Sequence, residues 1–287
     1  WEGAASFYLG EVAELIAQNF GDGGLLDEKA LSQYHVAVRK PVMTSFMETQ
    51  VYSNPAPSAG GTLIIFLLRL LEEGKIQNLK DSDIVRAMAV TNTARKEVCT
   101  DPNQEYQINQ LLEKKIFNGY LKKLLSEYMD SNDNLTIPGR GETTHVSAID
   151  KDMNCASVTT TNGEGCGYIL PGTGIMLNNM LGEEDLNPLG FHKWSHPMRL
   201  PTMMSPTIIM KNKQPYILLG SGGSNRIRSA IVQVILNCIV KGEGLEEAIL
   251  SPRIHLEGSQ LFYEPGLSIT EDDLSDLFSL HPFEAKN

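Results

Sequence analysis

The sequence predicts an α+β layered fold, with a mostly helical first half and a strand-rich second half carrying one apolar helix. Three observations carry this expectation. Apolar residues recur at helical spacing up to about residue 130. Residues 131–142 (SNDNLTIPGRGE) are polar, contain Gly and Pro, and read as an exposed loop. Beyond them, short β-branched runs alternate with turn residues, until a strongly apolar stretch runs from about Ile227 to Val240.

The elements follow in order. Gly10 to Phe20 carries Val12, Leu15, Ile16 and Phe20 at helical spacing and stops at Gly21-Asp22-Gly23-Gly24. Asp27 has the character of an N-cap for a short second helix through Tyr34. A strand pair is expected around Val36 to Val38 and Thr49 to Tyr52, ended by Asn54-Pro55-Ala56-Pro57. Helices are expected from about Thr62 to Glu73, Asp83 to Glu97 and Gln104 to Tyr128. After the polar loop, residues 144–150 and 155–161 have strand character, with a turn at Lys151-Asp152-Met153-Asn154. Further strands are expected at Ile175 to Leu177, Thr207 to Met210 and Tyr216 to Leu219. No internal repeat or low-complexity segment interrupts the pattern. Residues 1–142 and 143–287 are therefore two differently textured regions of one domain.

Composition excludes several classes. A net charge of −11 argues against a nucleic-acid partner, which needs a clustered basic surface. The nearest basic run, Lys114, Lys115, Lys122 and Lys123, reads as a solvated helix face. The four cysteines (Cys99, Cys155, Cys166, Cys238) are too few and scattered for a disulfide framework, and none forms a Cys-x-x-Cys pair. The most apolar segment, Thr62 to Leu71, is too short to span a bilayer and contains Arg69. His192 and His196 stand four apart, but Pro197 and the surrounding residues favour a loop over a metal site. The chain starts at Trp1 with no charged and apolar leader, as in a processed product or an excerpt.

The chemistry concentrates at the loop-to-strand junction, Thr143-Thr144-His145. A threonine hydroxyl needs a base, and a free α-amino group on the same residue, with an ordinary pKa near ~8, can serve. Freeing that amine requires cutting the Glu142-Thr143 bond, which the Pro-Gly-Arg-Gly approach has the flexibility to permit. A three-residue hairpin loop sets Asp150 opposite Asn154 and therefore Thr143 opposite Thr161, while a two-residue loop shifts the register by one. By composition alone, Thr143, Thr144, Thr159, Thr160 and Thr161 are equally explained as strand formers. The second feature is Gly220-Ser221-Gly222-Gly223-Ser224-Asn225-Arg226, between an apolar strand and the Ile227 helix. Its backbone N–H groups can form an oxyanion hole or a phosphate cradle, or the segment is simply a tight strand-to-helix turn. It has neither phosphate-loop pattern, and the chain has no Gly-x-Ser-x-Gly elbow.

Together these segments resemble the γ-glutamyltranspeptidase (glutathione hydrolase) family. The resemblance rests on Thr143-Thr144-His145-Val146-Ser147 with Asp150-Lys151-Asp152, on Pro171-Gly172-Thr173-Gly174-Ile175-Met176-Leu177-Asn178-Asn179, and on Ser205-Pro206-Thr207. It extends to Gly220-Ser221-Gly222-Gly223 with Arg226, and upstream to Tyr52-Ser53 with Pro55-Ala56-Pro57-Ser58-Ala59-Gly60-Gly61. It implies an N-terminal-nucleophile hydrolase with an αββα four-layer sandwich, cut autocatalytically into two subunits that stay together as a heterodimer. It implies Thr143 as nucleophile and Thr161 as its supporting threonine. The oxyanion pair falls on Gly223 and Ser224 in an ungapped match, or on Gly222 and Gly223, chemically the preferred pair, if the loop shifts by one.

The family's glutamate-recognition positions fall on Gly163, Met180, Glu183 (or Glu184 or Asp185), Thr202 and Met203, which depart from the family pattern. The resemblance therefore implies a divergent subfamily that cleaves γ-glutamyl amides such as glutathione, with water, an amino acid or a peptide as acceptor. It implies no cofactor and no metal, and a periplasmic or extracellular setting. An amide acylase or polyglutamate-processing enzyme is the alternative, and an uncleaved binding or structural relative is a second. The family's large subunit extends upstream of Trp1 and carries a substrate-gripping arginine with no counterpart assignable here. The C-terminal end is short by the same comparison, so the chain reads as a fragment.

Overall fold

The computed structural model describes residues 3–20, 26–76, 79–98, 107–126, 143–183, 186–187, 190–195, 198–267, 274 and 277–283. Its centre is an antiparallel four-stranded sheet of order β1-β2-β5-β6, formed by Val42–Phe46, Thr49–Ser53, Thr207–Lys211 and Gln214–Leu219. Helices α4 (Ala59–Glu73), α5 (Asp81–Val98) and α7 (Arg226–Ile239) form the layer beneath it, and the hairpin of β3 (Thr143–Ile149) and β4 (Cys155–Thr161) lies against β6. A three-stranded sheet of β7 (Ile254–Glu257), β8 (Gln260–Tyr263) and β9 (Ser279–Pro282) closes the far side of α5 and α7.

Helix α4 organises the core. It is apolar on every side, and a helix of that kind must be surrounded. Leu63, Ile64, Ile65, Phe66 and Leu68 are all at most 1% exposed, so the apolar segment from Thr62 is a core helix. Its single cation is absorbed locally. The Arg69 guanidinium lies 3.8 Å from the centre of the Phe117 ring, donates to the Leu112 carbonyl and pairs with Glu73. Phe66 meets Phe117 and Tyr120 edge to face. A second, smaller apolar cluster joins α2 (Glu11–Phe20) and α3 (Glu28–Gln33) to Leu170 and its neighbours. Asp27 caps α3 as expected, accepting from the Ala30 N–H.

Three expectations change. The strand expected at Val36 to Val38 lies instead at Val42–Phe46, because β1 and β2 are joined by only Met47 and Glu48, with Met47 at φ 49°. That turn contains no Gly or Asn to mark it, and Val36 and Val38 are exposed. The helix expected from Gln104 to Tyr128 is broken, and both its ends fall outside the described residues. A 3-10 turn, Ile108–Leu112, is separated by extended Glu113 from α6 (Lys114–Leu125). The turn buries Ile108 and Leu111 and lets Asn109 Oδ1 accept from Thr62 Oγ1 and the Ala56 N–H. Ile175 to Leu177 is not a strand; Met176 makes only an isolated bridge to Ile169. The polar loop 131–142 lies outside the described residues. No described helix is long and apolar enough to cross a membrane.

Two outcomes follow from this packing. Phe66→Ala leaves a cavity at the crossing of α4 and α6 and is expected to cost about 3–5 kcal/mol in urea unfolding. The second concerns Glu257, a buried carboxylate that accepts from Asn225 and faces His255. Burial pushes its pKa up, but the His255 hydrogen bond and the charges of Arg228 and Arg95 outweigh burial and hold it below the ordinary value. A depressed carboxylate stabilises the fold above the unfolded-state pKa, about 4.3 for Glu. That contribution is lost as pH falls through the lower folded value. Acid unfolding should therefore begin below about pH 4.3, and Glu257→Gln should flatten that limb of a stability–pH curve.

Candidate active site

The β3–β4 hairpin sets the first dimension of the site. Asp150 Oδ1 accepts from the N–H groups of Asp152 and Asn154, and Oδ2 accepts from Asn154 Nδ2. These bonds favour the carboxylate and lower its pKa, the Asn154 side chain most of all. Met153 takes φ 64°, and the Asp150 N–H donates to the Asn154 carbonyl, so the loop has three residues. Thr143 therefore pairs with Thr161, the expected register. Alternation then places Thr143, His145, Ser147, Ser157, Thr159 and Thr161 on one face, while Val146 and Val158 lie exposed on the other.

His145 ties this face to the glycine loop. Its Nδ1 is 2.8 Å from Thr159 Oγ1 and its Nε2 is 2.9 Å from Ser147 Oγ. Burial holds the imidazole pKa below its usual value, favouring the neutral ring. The ring packs on Gly220, where an added Cβ would stand 2.1 Å from Nδ1. Gly220 is thus demanded by close approach. Two residues on, a Cβ at Gly222 would lie 2.9 Å from the Thr143 carbonyl oxygen and 3.2 Å from Thr143 Cβ. The loop is laid directly along the first residue of β3. Among the described residues, the N–H groups of Gly222 and Gly223 donate to no acceptor in the protein. Ser224, at φ 55°, leads into α7.

A small pocket of about 20 Å³ is lined by Thr143, Thr161, Met180, Glu183, Leu186, Thr202, Met203, Met204, Ser224 and Ile227. Such a volume holds about one water. The candidates Thr143, Thr161, Glu183, Thr202, Met203 and Ser224, drawn from five separate segments, meet here. Gly222 and Gly223 instead line the opposite side of the loop, in a larger cavity of about 250 Å³ with Ser229, Arg226, Arg253 and His255. Gly222 still touches Thr143, and Ser224 is the loop residue on the threonine side. Glu184, Asp185 and Glu142 lie outside the described residues, as does His196 of the candidate histidine pair.

The pocket wall at Thr202 to Met204 is held by groups that sequence reasoning did not assign. Its Thr202 carbonyl accepts from the N–H groups of Ala59 and Gly60 at the start of α4 and from Ser58 Oγ. The Met204 carbonyl accepts from Asn54 Nδ2 and Ser58 Oγ. A Cβ at Gly60 would stand 2.2 Å from the Met203 carbonyl oxygen, so the double glycine lets a helix end meet the pocket wall. The Pro-Gly-rich texture of residues 55–61 was the available signal.

The family model described as gamma-glutamyltranspeptidase matches residues 1–278. The chain is 31% identical to the glutathione hydrolase proenzyme of Escherichia coli, over 88% of this chain and 48% of that protein. It is 28% identical to an acylase proenzyme of a Pseudomonas species, over 93% of this chain and 50% of the relative. The chain thus spans about half the length of the curated relatives it matches. The crystal structure of cephalosporin acylase from Bacillus halodurans superposes with a TM-score of 0.75 at 23% identity, covering 97% of this chain and 53% of that one. That likeness establishes the shared fold, a layered α+β architecture. The family match over nearly every residue places the chain in the γ-glutamyltranspeptidase family.

Proposed function

We propose that the protein is a γ-glutamyl acyltransferase and hydrolase that generates its own N-terminal threonine by cutting before Thr143. The observation that carries this reading is the convergence of Thr143, its register partner Thr161 and the glycine loop. In processing, Thr143 Oγ adds to the Glu142 carbonyl carbon, the peptide C–N bond breaks to leave an ester, and water hydrolyses that ester. Residues 1–142 and 143–287 become two chains that stay associated, since β2 pairs with β5 across the cut.

In turnover, the freed α-amine takes the proton from Thr143 Oγ, which attacks the γ-carbonyl of the substrate. The N–H groups of the 222–224 segment stabilise the tetrahedral oxyanion, Gly222 and Gly223 being the assigned pair and Ser224 the residue on the pocket side. The proton passes to the leaving amine, an acyl ester remains on Thr143, and water or an amine acceptor releases the acyl group. Thr161 orients the reacting groups, and its Oγ1 is itself fixed by accepting from the Gly163 N–H at 2.9 Å. Glu183, Thr202 and Met203 line the acyl side of the pocket, where Glu183 offers a carboxylate to a substrate ammonium. The chemistry calls for no metal or cofactor. The apolar lining from Met180, Leu186, Met203 and Ile227 favours one second reading, an amide acylase with a less polar acyl group.

Denaturing mass analysis should find two fragments with a new terminus at Thr143, and a single uncut chain would refute the reading. Thr143→Ala should remain uncut and should lose turnover of a chromogenic γ-glutamyl anilide. Processing without γ-glutamyl turnover would favour the acylase. Gly222→Ala should push the loop off Thr143 and lower kcat by about 10–100-fold, since small misplacements of reacting groups have effects of that order. Because the base is an α-amine, kcat/KM should rise with pH through about 8, the protonated amine being unable to accept the Oγ proton.

A further inference from the structure

The glycine loop is held at both ends, and only one holder lies in the threonine hairpin. At its start, the His145 ring packs on Gly220. At its end stands Asn225, the N-cap residue of α7, a position where asparagine ordinarily accepts from the first N–H groups of the helix. Here it makes no such cap. Its backbone is already helical, at φ −60° and ψ −25°, and the residue is buried, only 4% exposed. The side chain lies instead between two opposite charges from distant segments. Asn225 Oδ1 accepts from the Arg95 guanidinium of α5 at 3.1 Å, and Asn225 Nδ2 donates to Glu257 Oε1 of β7 at 3.2 Å. An arginine can only donate and a carboxylate can only accept, so the two charges fix which way the amide faces. Bonds to charged partners are also the stronger kind.

The partners are themselves anchored. Glu257 faces His255, whose Nδ1 is 2.9 Å from Ser229 Oγ. Arg228 donates to Asn92 Oδ1, and Asn92 Nδ2 donates to the Leu256 carbonyl. Helices α5 and α7 and strand β7 therefore meet in one polar knot at the end of the loop. Between this knot and the glycines stands Ser224, at φ 55°, in the left-handed region that serine seldom adopts. Such a conformation persists where the surroundings over-determine it. The Gly223 carbonyl accepts from the Arg226 N–H at 3.0 Å and the Ser224 carbonyl from the Ile227 N–H at 3.2 Å. Both peptide groups are thus tied to the start of α7, and moving Asn225 would turn them together with the N–H donors of the 222–224 segment.

We propose that Asn225, clamped between Arg95 and Glu257, is the positioning residue that aims the oxyanion donors of the glycine loop at the Thr143 site. It touches no substrate and acts through the backbone of Gly222, Gly223 and Ser224. The inference rests on the reading of that segment as the oxyanion hole. It adds that the aim is set from α5 and β7, outside the pocket.

The test exchanges the polarity of the clamp. Asn225→Asp sets a carboxylate against Glu257 and removes the donor between them. It should lower kcat for the γ-glutamyl anilide by about tenfold or more, the scale of small misplacements of reacting groups. KM should stay within about twofold, because these donors act on the transition state. Adding Glu257→Gln supplies an amide donor to the new carboxylate, whose other oxygen still accepts from Arg95. The double variant should return kcat to within about threefold of wild type. No loss in the single variant, or no recovery in the double variant, would overturn the proposal. NMR of isotope-labelled glycines supplies a readout independent of turnover. The Gly222 and Gly223 amides should show order parameters near ~0.85 in wild type, falling below ~0.6 in Asn225→Asp and recovering in the double variant. Unchanged order in the single variant would equally overturn the clamp. Should Asn225→Asp not fold, Arg95→Met removes the donor on the other side, and the same loss of order is required of it. If wild type does not hydrolyse the anilide, the functional reading fails and the amide order alone decides the clamp.

Discussion

The registration of β3 against β4 is the constraint on which the site depends. A strand pairing shifted by one residue would part Thr143 and His145 from Thr161, placing them on opposite faces of the hairpin and bringing one of Val146 and Val158 onto the hydroxyl-lined face. The hairpin has no broad apolar face to prevent such a slip. Its turn does so instead: the Asp150 carboxylate gathers two N–H groups and one side-chain amide, committing the loop to three residues. An exposed aspartate thus determines what a threonine at the far end of the strand confronts.

Every other part of the site is brought to that ladder by close backbone approach. Gly220 accommodates the His145 ring, Gly222 accommodates Thr143, and Gly163 accommodates Glu183. In each case the glycine is set by a neighbour from a different segment, as well as by the local turn. The hydroxyl-lined face of the hairpin is held to β6 through Ser157 and the Leu219 carbonyl. Strand β3 and the glycine loop that continues from β6 are thereby tied together through the hairpin.

How much of this was legible varied with the range of the cause. The hairpin register could be read because turn length and strand period are local properties, and Asp150 to Asn154 specified them. The core helix α4 was legible from its unbroken apolar run. The position of β1 was not, because the turn at Met47-Glu48 uses a positive-φ methionine in place of the usual glycine or asparagine. The break at Glu113 was hidden for a different reason. Residues 108–125 keep a helical pattern throughout, and the 3-10 turn follows from tertiary contacts of Asn109 and Leu112 with α4. Thr143, Glu183, Thr202 and Met203, nominated by motif resemblance from distant segments, line one pocket, but no sequence signal disclosed that a Cβ at Gly163 would meet Asn179 and Glu183. Sheet β7–β9 and helix α8 (Leu245–Leu250) also lacked a strong local pattern, each being short and stabilised by packing against α5 or α7.

The grip of Ser58, Ala59 and Gly60 on the 202–204 segment acts entirely on carbonyl oxygens. Carbonyls are common to all residues, so this part of the wall's anchoring does not depend on which side chains it displays. The side chains add to that anchoring: Thr202 Oγ1 accepts from the Met204 N–H, and Met203 is buried in the main core. A scaffold of this kind ties the path of the pocket wall to the start of α4.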